Sequence, residues 1–432
     1  KSTWLPLQFL AHKGIEGRII LLEPRRLAAR NVAQRLAELL NEKPGETVGY
    51  RMRAQSCVGP TTRLEVVTEG VLTRMIQRDP ELSGVGLVIL DEFHERSLQA
   101  DLALALLLDV QQGLRDDLKL LIMSATLDND RLQQCLPDAP VIVSEGRAFP
   151  VERRYQPLAS QLRFDEAVAI ACAELLRKEP GSLLLFLPGV GEILRVQEQL
   201  SSRVGSDVLL CPLYGALSLN DQRKAIWPAP EGMRKVVLAT NIAETSLTIE
   251  GIRLVVDCAQ ERVARFDART GLTRLITQRI SQASMTQRAG RAGRLEPGIC
   301  LHLLAKEQAE RAAAQGDPEM LHSDLSGLLM ELLQWGCRDP AQLTWLDLPP
   351  AVNVQAAKRL LHMLGALDGE QLSAAGQKMA ALGNDPRLAA MLVSASTPDE
   401  AATAAKLAAI LEEPPRMGNT DLGVAFSRHQ PA

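Results

Sequence analysis

Long apolar runs, clustered cysteines and excess positive charge are all missing from this sequence of 432 residues. No stretch approaches the ~18 uninterrupted apolar residues that a membrane-spanning helix needs, which argues against a membrane protein. The seven cysteines are scattered singly, so zinc-ligand spacing is absent and a reducing cytoplasm is expected. The formal net charge of -4 gives no global attraction to nucleic acid, so any such binding must come from local patches.

Low-complexity segments, solenoid repeats and a secretory leader are not evident either, and a soluble globular protein of about two to four domains is expected. The chain opens on Lys1, Ser2 and Thr3, which have the composition of the end of a phosphate-binding loop. A lysine in such a loop neutralises phosphate charge, and the hydroxyl after it ligates magnesium. The tripeptide is weak evidence by itself, but it leads us to expect that the sequence begins inside a motif. Residues 427–432 do not resemble a domain end, so truncation is expected at both ends.

Short β-rich runs alternate with helical patterns in two successive blocks of the chain. Continuous apolar runs are typical of strands buried on both faces, and their alternation with helices predicts parallel sheets. The predicted strands are 18–23, 63–68, 85–91, 119–124 and 141–144 in the first block, and 182–187, 207–213, 235–240, 253–257 and 298–303 in the second. A linker is predicted at 146–157, because Pro150 and Pro157 interrupt regular structure there.

The predicted fold is α/β, with two tandem parallel-sheet domains and a ligand at the carboxyl ends of the strands. After about residue 316 the β signal fades. Residues 317–382 are expected to be helical with a short β element at 369–373, and 401–411 to be helical. The predicted domains are 1–149, 150–315, 316–382 and 383–432.

The segment Gln-Arg-Ala-Gly-Arg-Ala-Gly-Arg at 287–294 is the most specific signal. Its three arginines recur at every third residue, and each guanidinium is permanently charged and shaped to bind phosphate oxygens. A solvated basic loop is the alternative interpretation. The order of the other motifs favours nucleoside triphosphate hydrolysis instead.

The segment Asp-Glu-Phe-His at 91–94 directly follows the apolar run 85–90. An aspartate at such a strand end can hold magnesium through water, and the adjacent glutamate can orient and deprotonate an attacking water. Asp91 and Glu92 are therefore candidates for these two roles. A solvated acidic strand end is the alternative.

Further polar loops follow predicted strands, where their side chains and helix N-termini suit a phosphodiester backbone. These loops are Glu23 with Pro24, Arg25 and Arg26; Thr68 with Glu69 and Gly70; and 240–246, which contains Thr240, Asn241 and Thr245. Ser124, Ala125 and Thr126 also follow a strand and are candidates for linking the nucleotide site to the rest of its block. Plain surface, or a helix cap for the last group, is the alternative in each case.

Residues 261–278 hold four arginines around Thr270 and Gly271. A turn at this pair predicts a basic β-hairpin. The arginines are Arg262, Arg265, Arg269 and Arg274. The residues alone leave open whether the hairpin acts on nucleic acid or is a solvated edge.

Taken together and in order, these motifs resemble the DEAH-box/RHA family of nucleic-acid-dependent ATPases and helicases. The resemblance covers roughly residues 1–300 and rests on the segments 1–3, 23–26, 68–70, 91–94, 124–126, 185–189, 240–246 and 287–294. Residues 323–388 resemble the family's winged-helix and helical-bundle region, notably at 348–350, 364–367 and 385–387. Phe93 replaces the usual alanine, and the resulting box is similar to that of a bacterial subgroup.

The resemblance implies two RecA-like domains of the P-loop NTPase class, followed by winged-helix and helical-bundle domains. It implies binding of ATP, or another nucleoside triphosphate, together with Mg2+. The implied roles are phosphate and nucleotide binding by Lys1, Ser2 and Thr3; magnesium binding by Ser2 and Asp91; activation of water by Glu92; positioning of water or γ-phosphate by Gln287; and arginine fingers at Arg291 and Arg294.

Arg35 and Trp227 resemble the family's base sandwich, and stacking of this kind leaves nucleotide choice loose. The hairpin resembles the family's strand-separating element. The implied nucleic-acid contacts are Arg25, Arg26, Thr68, Glu69, Gly70, Thr240, Asn241, Thr245, Arg265 and Arg269. Coupling between nucleotide and nucleic acid is assigned to His94, Ser124 and Thr126.

The leading interpretation is a cytoplasmic ATP-dependent RNA helicase that translocates on RNA and unwinds it. RNA that is single-stranded, or duplex with a single-stranded tail, is the expected partner, with DNA as a second candidate and no membrane. One alternative is an RNA-stimulated ATPase that remodels RNA–protein complexes without unwinding. Another is a nucleotide-gated RNA-binding module, against which Glu92 and the finger arginines argue.

Overall fold

A computed structural model describes residues 4–125, 129–143, 146, 148–244, 247–383 and 385–412. Five of the predicted site residues lie outside the described residues: Lys1, Ser2, Thr3, Thr126 and Thr245. Within the described part of the chain, no helix is both long enough and apolar enough to cross a membrane.

The first lobe (residues 4–135) is built on a six-stranded sheet with the order β3-β2-β4-β1-β5-β6. Every neighbouring pair is parallel except β2 and β3. The strands are β1 (Arg18–Leu22), β2 (Val48–Met52), β3 (Gln55–Cys57), β4 (Leu64–Val67), β5 (Val85–Leu90) and β6 (Lys119–Ile122). The helices are α1 (Trp4–Ala11), α2 (Arg26–Leu39), α3 (Glu69–Arg78), α4 (Leu98–Gly113) and α5 (Asn129–Cys135).

Side chains of β1 point alternately into two separate cores, one on each face of this sheet. Ile20 and Leu22 belong to one core, and Ile19 and Leu21 belong to the other. This double burial explains why the strand is apolar at nearly every position.

The second lobe (residues 151–311) contains a six-stranded sheet with the order β7-β14-β11-β8-β10-β9, in which all neighbours are parallel. Its strands are β7 (Val151–Tyr155), β8 (Ser182–Phe186), β9 (Val208–Leu213), β10 (Arg234–Ala239), β11 (Ile252–Asp257) and β14 (Gly298–His302). Its helices are α6 (Phe164–Lys178), α7 (Val190–Ser201), α8 (Leu219–Ile226), α9 (Gln282–Gly290) and α10 (Lys306–Arg311).

The predicted hairpin is present between β11 and α9, as the antiparallel strands β12 (Gln260–Asp267) and β13 (Leu272–Arg279). Its turn ends at Gly271, whose φ of +73° is a conformation that favours glycine. The amide of Gly271 donates to the carbonyl of Asp267 at 2.8 Å, which closes the turn.

The remaining elements are helical apart from one small hairpin. They are α11 (Ser326–Trp335), α12 (Ala351–Met363), β15 (Leu367–Asp368), β16 (Gln371–Leu372), α13 (Ala374–Leu382), α14 (Pro386–Ser394) and α15 (Pro398–Glu412). Leu328 and Leu361 share one continuous hydrophobic core with Leu106 of α4. This region therefore packs on the first lobe, while its winged-helix assignment stays a prediction.

Two predictions about strands are wrong. Residues 141–143 form no strand, and Ile142 and Val143 are 87% and 77% exposed, so their apolar character does not reflect burial in a sheet. The linker predicted at 146–157 instead contains β7, an edge strand paired with β14. The other predicted strands are present to within two residues, and the predicted domain boundaries stay predictions.

Candidate active site

Three of the predicted polar segments lie at the carboxyl ends of parallel strands. Asp91 directly follows β5, Ser124 lies just after β6, and Thr240 directly follows β10. Asp91 is only 5% exposed, and one of its carboxylate oxygens accepts the backbone amide of Glu92 at 2.9 Å. Ligands of open parallel sheets bind at this carboxyl end of the strands.

The chain turns sharply through the Asp-Glu-Phe-His segment. Glu92 and Arg96 have φ values of +56° and +47°, which are left-handed conformations that non-glycine residues rarely adopt. A 3-10 turn (Phe93–Glu95) lies between them. Phe93 is 1% exposed and belongs to the core shared with the C-terminal helices, so it packs away from the acidic side chains.

His94 connects this segment to the one after β6. Its Nδ1 accepts the backbone amide of Ala125 at 3.1 Å, and its Nε2 lies 3.3 Å from a carboxylate oxygen of Glu92. Burial lowers the pKa of His94, although Glu95 and Asp91 oppose this. A neutral ring that accepts at Nδ1 carries its proton on Nε2, which faces Glu92.

Arg291 is nearly buried in the second lobe, and two of its nitrogens are bonded to backbone carbonyls. Nε donates to Glu244 at 2.8 Å and Nη1 donates to Leu247 at 2.7 Å. Nη2 is buried and has no hydrogen-bond partner among the described residues. Burial, together with the charge of Arg294, lowers the pKa of Arg291 to about 9.

The two lobes face each other at this point. Arg291 is buried, whereas Arg294 is exposed. Glu92 of the first lobe raises the pKa of both arginines of the second lobe, against the larger opposite effect of their partial removal from water. Leu27 of α2 also packs against the second-lobe core that contains Ala243. The structure thus brings together the predicted base and the predicted finger arginines, which are separated by about 200 residues in sequence.

Arg288, the first arginine of the 287–294 segment, does not face this site. It is fully buried, donates to Asp257 at 2.9 Å and lies 4.8 Å from the ring centroid of Phe186. His302 contacts the other carboxylate oxygen of Asp257 at 2.7 Å. Asp257 and His302 were not predicted as partners of Arg288, because this contact depends on pairing between strands that are distant in the chain. Gln287 lies beside Arg288 on α9 and is half-buried.

The structure shows only part of the predicted base sandwich, in which Arg35 and Trp227 would stack on the nucleotide base. Arg35 is exposed on α2, and Trp227 is 57% exposed at the end of α8. The guanidinium that lies over the Trp227 ring, at 5.7 Å from its centroid, belongs to Arg223. Arg223 is thus a further candidate that sequence analysis missed, and the pairing with Arg35 stays a prediction.

The predicted nucleic-acid loops of the first lobe border the Asp-Glu-Phe-His segment. Arg25 forms an ion pair with Glu95 at 3.5 Å. The carboxylate of Glu69 accepts the hydroxyl of Ser97, and burial raises the pKa of Glu69 to about 7. Thr68 is buried, while Arg26 and Gly70 are exposed.

The predicted contacts of the second lobe lie on its polar loop and on the hairpin. Thr240 and Asn241 lead directly into the segment whose Glu244 carbonyl accepts Arg291. Arg265 lies directly opposite Arg274 in the hairpin and donates to Gln278 at 2.9 Å. The side chain of Arg269 at the turn is 89% exposed.

Residues 2–135 match the family model described as DEAD/DEAH box helicase, and residues 166–296 match the helicase conserved C-terminal domain. This chain belongs to the DEAD/DEAH box helicases. Its resemblance to that family and its tandem RecA-like fold, both predicted from sequence, are therefore confirmed.

Relatives in the family include two RNA helicases of Escherichia coli (strain K12). The chain is 88% identical over 432 residues to ATP-dependent RNA helicase HrpB, covering 100% of this chain and 53% of that protein. It is 37% identical over 407 residues to ATP-dependent RNA helicase HrpA, covering 91% of this chain and 31% of that protein.

Solved structures agree with this assignment. A crystal structure of E. coli DEAH/RHA helicase HrpB matches with a TM-score of 0.97 at 88% identity, over 100% of this chain and 55% of that one. A crystal structure of E. coli DExH-box NTPase HrpB matches with a TM-score of 0.89 over 100% of this chain and 53% of that one. The chain thus spans about half the length of HrpB.

Proposed function

We propose that the protein is an ATP-dependent RNA helicase that hydrolyses ATP between its two lobes and uses the energy to move along and unwind RNA. The observation that carries this proposal is the approach of Glu92 in the first lobe to Arg291 and Arg294 in the second. A nearly buried guanidinium with a free Nη2 needs an anion close by, and a transferring phosphoryl group supplies one.

Glu92 is the general base in this proposal. Its carboxylate orients a water molecule, accepts a proton from it and so favours attack on the γ-phosphorus atom. The neutral His94 ring lies beside that carboxylate, with its Nε2 3.3 Å from a carboxylate oxygen of Glu92. Gln287 positions the same water or the γ-phosphate, as the family resemblance implies.

Arg291 and Arg294 stabilise the charge of the phosphoryl group as it is transferred. Arg291 is held by the carbonyls of Glu244 and Leu247, so its remaining Nη2 has a fixed direction. Such preorganisation avoids the cost of reorienting the charge during the reaction.

The oxygen-rich side chains around Asp91 fit a magnesium ion, because Mg2+ prefers carboxylate, phosphate and water oxygens. Asp91 and Ser2 are the proposed ligands, with Lys1, Ser2 and Thr3 at the phosphates. When bound, the ion neutralises charge on the β- and γ-phosphate oxygens. Glu92, His94 and Glu95 also place one possible ligand atom each within 4.8 Å of one another, beside this site.

RNA is proposed to bind across both lobes through the loops at 23–26, 68–70 and 240–246. Backbone contacts predominate in this proposal, so binding weakens with salt and shows little sequence preference. The hairpin separates strands. A cytoplasmic location is also proposed, and the free state of all seven cysteines supports it.

The test uses the full-length protein, with ATP hydrolysis measured with and without single-stranded RNA or DNA, and unwinding measured on an RNA duplex with a single-stranded tail. Stimulated hydrolysis together with unwinding supports the helicase. Stimulated hydrolysis without unwinding favours the remodelling ATPase. RNA binding that depends on nucleotide but shows no turnover favours the binding module.

A further inference from the structure

The hairpin of β12 and β13 forms a two-stranded sheet of its own, separate from the main sheet of the second lobe. An isolated two-stranded hairpin is only marginally stable in water, so its direction and stiffness depend on how its base is attached. A hairpin that bends when it meets an RNA duplex cannot separate the two RNA strands. The attachments at the base of the hairpin therefore matter for its proposed action.

One attachment joins the hairpin to helix α7. The guanidinium of Arg262 donates twice to the carboxylate of Glu192, from Nη1 at 3.0 Å and from Nη2 at 2.6 Å. Nη2 also donates to the hydroxyl of Thr277 at 3.3 Å. This single guanidinium thus holds both strands of the hairpin and fixes them to the helix, in the forked geometry that makes arginine–carboxylate pairs specific.

The absence of a side chain at Gly189 leaves space for this ion pair. Gly189 precedes α7, and a Cβ atom built there would lie 2.1 Å from Nη1 of Arg262 and 2.9 Å from the Glu192 carboxylate. The φ of Gly189 is -162°, an extended conformation that any residue adopts, so the glycine is not needed for its backbone freedom. The space above it is used by the Arg262 side chain.

Electrostatics support a stable pair. The Glu192 side chain is 12% exposed and that of Arg262 is 32% exposed. Hydrogen bonds from Arg262 lower the pKa of Glu192, so the carboxylate is charged at neutral pH. Arg195, whose side chain is mostly exposed, lies 3.4 Å from the same carboxylate.

A second attachment comes from α9, the helix that ends just before the predicted finger arginines. Nη2 of Arg288 on α9 lies 3.4 Å from the carbonyl of Gln260, the first residue of β12. The base of the hairpin is thus tied to both α9 and α7.

We propose that Glu192 and Arg262, seated over Gly189, form a clamp that positions the hairpin for strand separation. Both are positioning residues and neither belongs to the ATP site. The inference rests on the proposed helicase function. In this proposal the clamp transmits movement of the lobes to the hairpin and takes no part in ATP hydrolysis.

The test compares Glu192→Gln and Gly189→Ala with the parent in the full-length protein. Glu198→Gln is the matched control, because Glu198 is an exposed residue of the same helix. In both clamp variants, RNA-stimulated ATP hydrolysis stays at the parent level. Single-turnover unwinding falls about tenfold, which equals about 1.4 kcal/mol and is the scale of one charge-assisted hydrogen bond.

A charge reversal and a direct readout of stiffness complete the test. Combining Glu192→Arg with Arg262→Glu restores unwinding toward the parent rate, whereas either change alone does not. Amide hydrogen exchange in β12 and β13 speeds up in Glu192→Gln and not in the Glu198→Gln control. This exchange experiment needs no helicase activity, so it still tests the clamp if the parent protein fails to unwind RNA.

Three results would overturn the clamp: unwinding at the parent rate in both variants, unchanged amide exchange in the hairpin, or equal losses of hydrolysis and unwinding. Equal losses would mean that the pair only supports the fold of the second lobe. Absence of RNA-stimulated hydrolysis and unwinding in the parent protein would instead contradict the proposed function.

Discussion

His94 accepts a hydrogen bond from the backbone amide of Ala125, with 3.1 Å between Nδ1 and the amide nitrogen. This contact ties the acidic segment after β5 to the polar segment after β6. The other nitrogen of the same ring lies 3.3 Å from a carboxylate oxygen of Glu92, the proposed base. One imidazole therefore lies between the carboxylate proposed as the base and the segment predicted to couple the nucleotide site to nucleic acid.

Replacing His94 with alanine is expected to weaken the coupling of RNA binding to ATP hydrolysis more than it weakens RNA binding itself. His94→Ala removes the hydrogen bond from the Ala125 amide and should lower RNA-stimulated hydrolysis at least ~5-fold, since one hydrogen bond contributes about 1 kcal/mol. His94→Asn keeps an acceptor near Nδ1 and should lose less. Steady-state hydrolysis across RNA concentrations checks this, with exposed His362→Ala as the control. Equal stimulation in all variants would show that His94 has no coupling role.

Glu69 is expected to make the folded protein less stable at alkaline pH. Its pKa is raised to about 7 by burial, so the folded state binds this proton more tightly than the unfolded state does. The resulting stability is fully present below the ordinary glutamate pKa of 4.5 and is lost as the pH rises through about 7. Glu69→Gln should therefore be more stable than the parent at pH near 8, by about 1–3 kcal/mol, and similar to it near pH 5.

Urea denaturation of Glu69→Gln and the parent at both pH values measures this difference. Glu38→Gln, at an exposed position on α2, is the control and should show no pH-dependent gain. A gain that is the same at both pH values would mean that titration of Glu69 is not its source.

The buried pair of Arg288 and Asp257 is expected to be structural. Asp257→Ala leaves the fully buried guanidinium without its carboxylate and should destabilise the protein by about 3–5 kcal/mol. Denaturation monitored by tryptophan fluorescence checks this, with exposed Asp138→Ala as the control. A loss of unfolding free energy below about 1 kcal/mol would mean that this buried pair contributes no more to stability than an ordinary surface ion pair.

Nucleoside triphosphates are expected to be weakly discriminated. Trp227 offers an exposed flat ring for stacking, and stacking does not distinguish one base edge from another. Trp227→Ala should raise KM for ATP and GTP by a similar factor. A preference for ATP over GTP above ~100-fold would require ~2.8 kcal/mol of specific contacts and would contradict this account.

The buried centre of each sheet was predictable from sequence, and the edges were not. Strands such as β1 and β8 are apolar at nearly every position because both of their faces are covered. β7 carries the polar sequence Val-Glu-Arg-Arg-Tyr and is half-exposed, so it has no such signal. Conversely, Ile142 and Val143 are apolar but exposed, and composition alone assigned them wrongly to a strand.

The candidate site was predictable where one segment carries its own chemistry. Asp91, Glu92 and the arginines at 287–294 are recognisable because their residue types and order are specific. Contacts between distant segments were not predictable. Arg96, just after the acidic segment, binds Asp347 at 2.8 Å across 251 residues, and the clamp joins Glu192 to Arg262. Such pairings depend on the packed fold, which periodicity does not specify.

The most direct test of hydrolysis between the lobes is to separate nucleotide binding from turnover in Glu92→Gln, Arg291→Ala and Arg294→Ala of the full-length protein. Glu92→Gln should bind ATP nearly as the parent does, while turnover falls at least ~100-fold, as expected for loss of a general base. Each arginine variant should lose on the order of 10³-fold in turnover, the scale of an arginine finger. Single-turnover hydrolysis alongside equilibrium ATP binding measures both quantities. Near-parent turnover in all three variants would contradict a site shared by the two lobes.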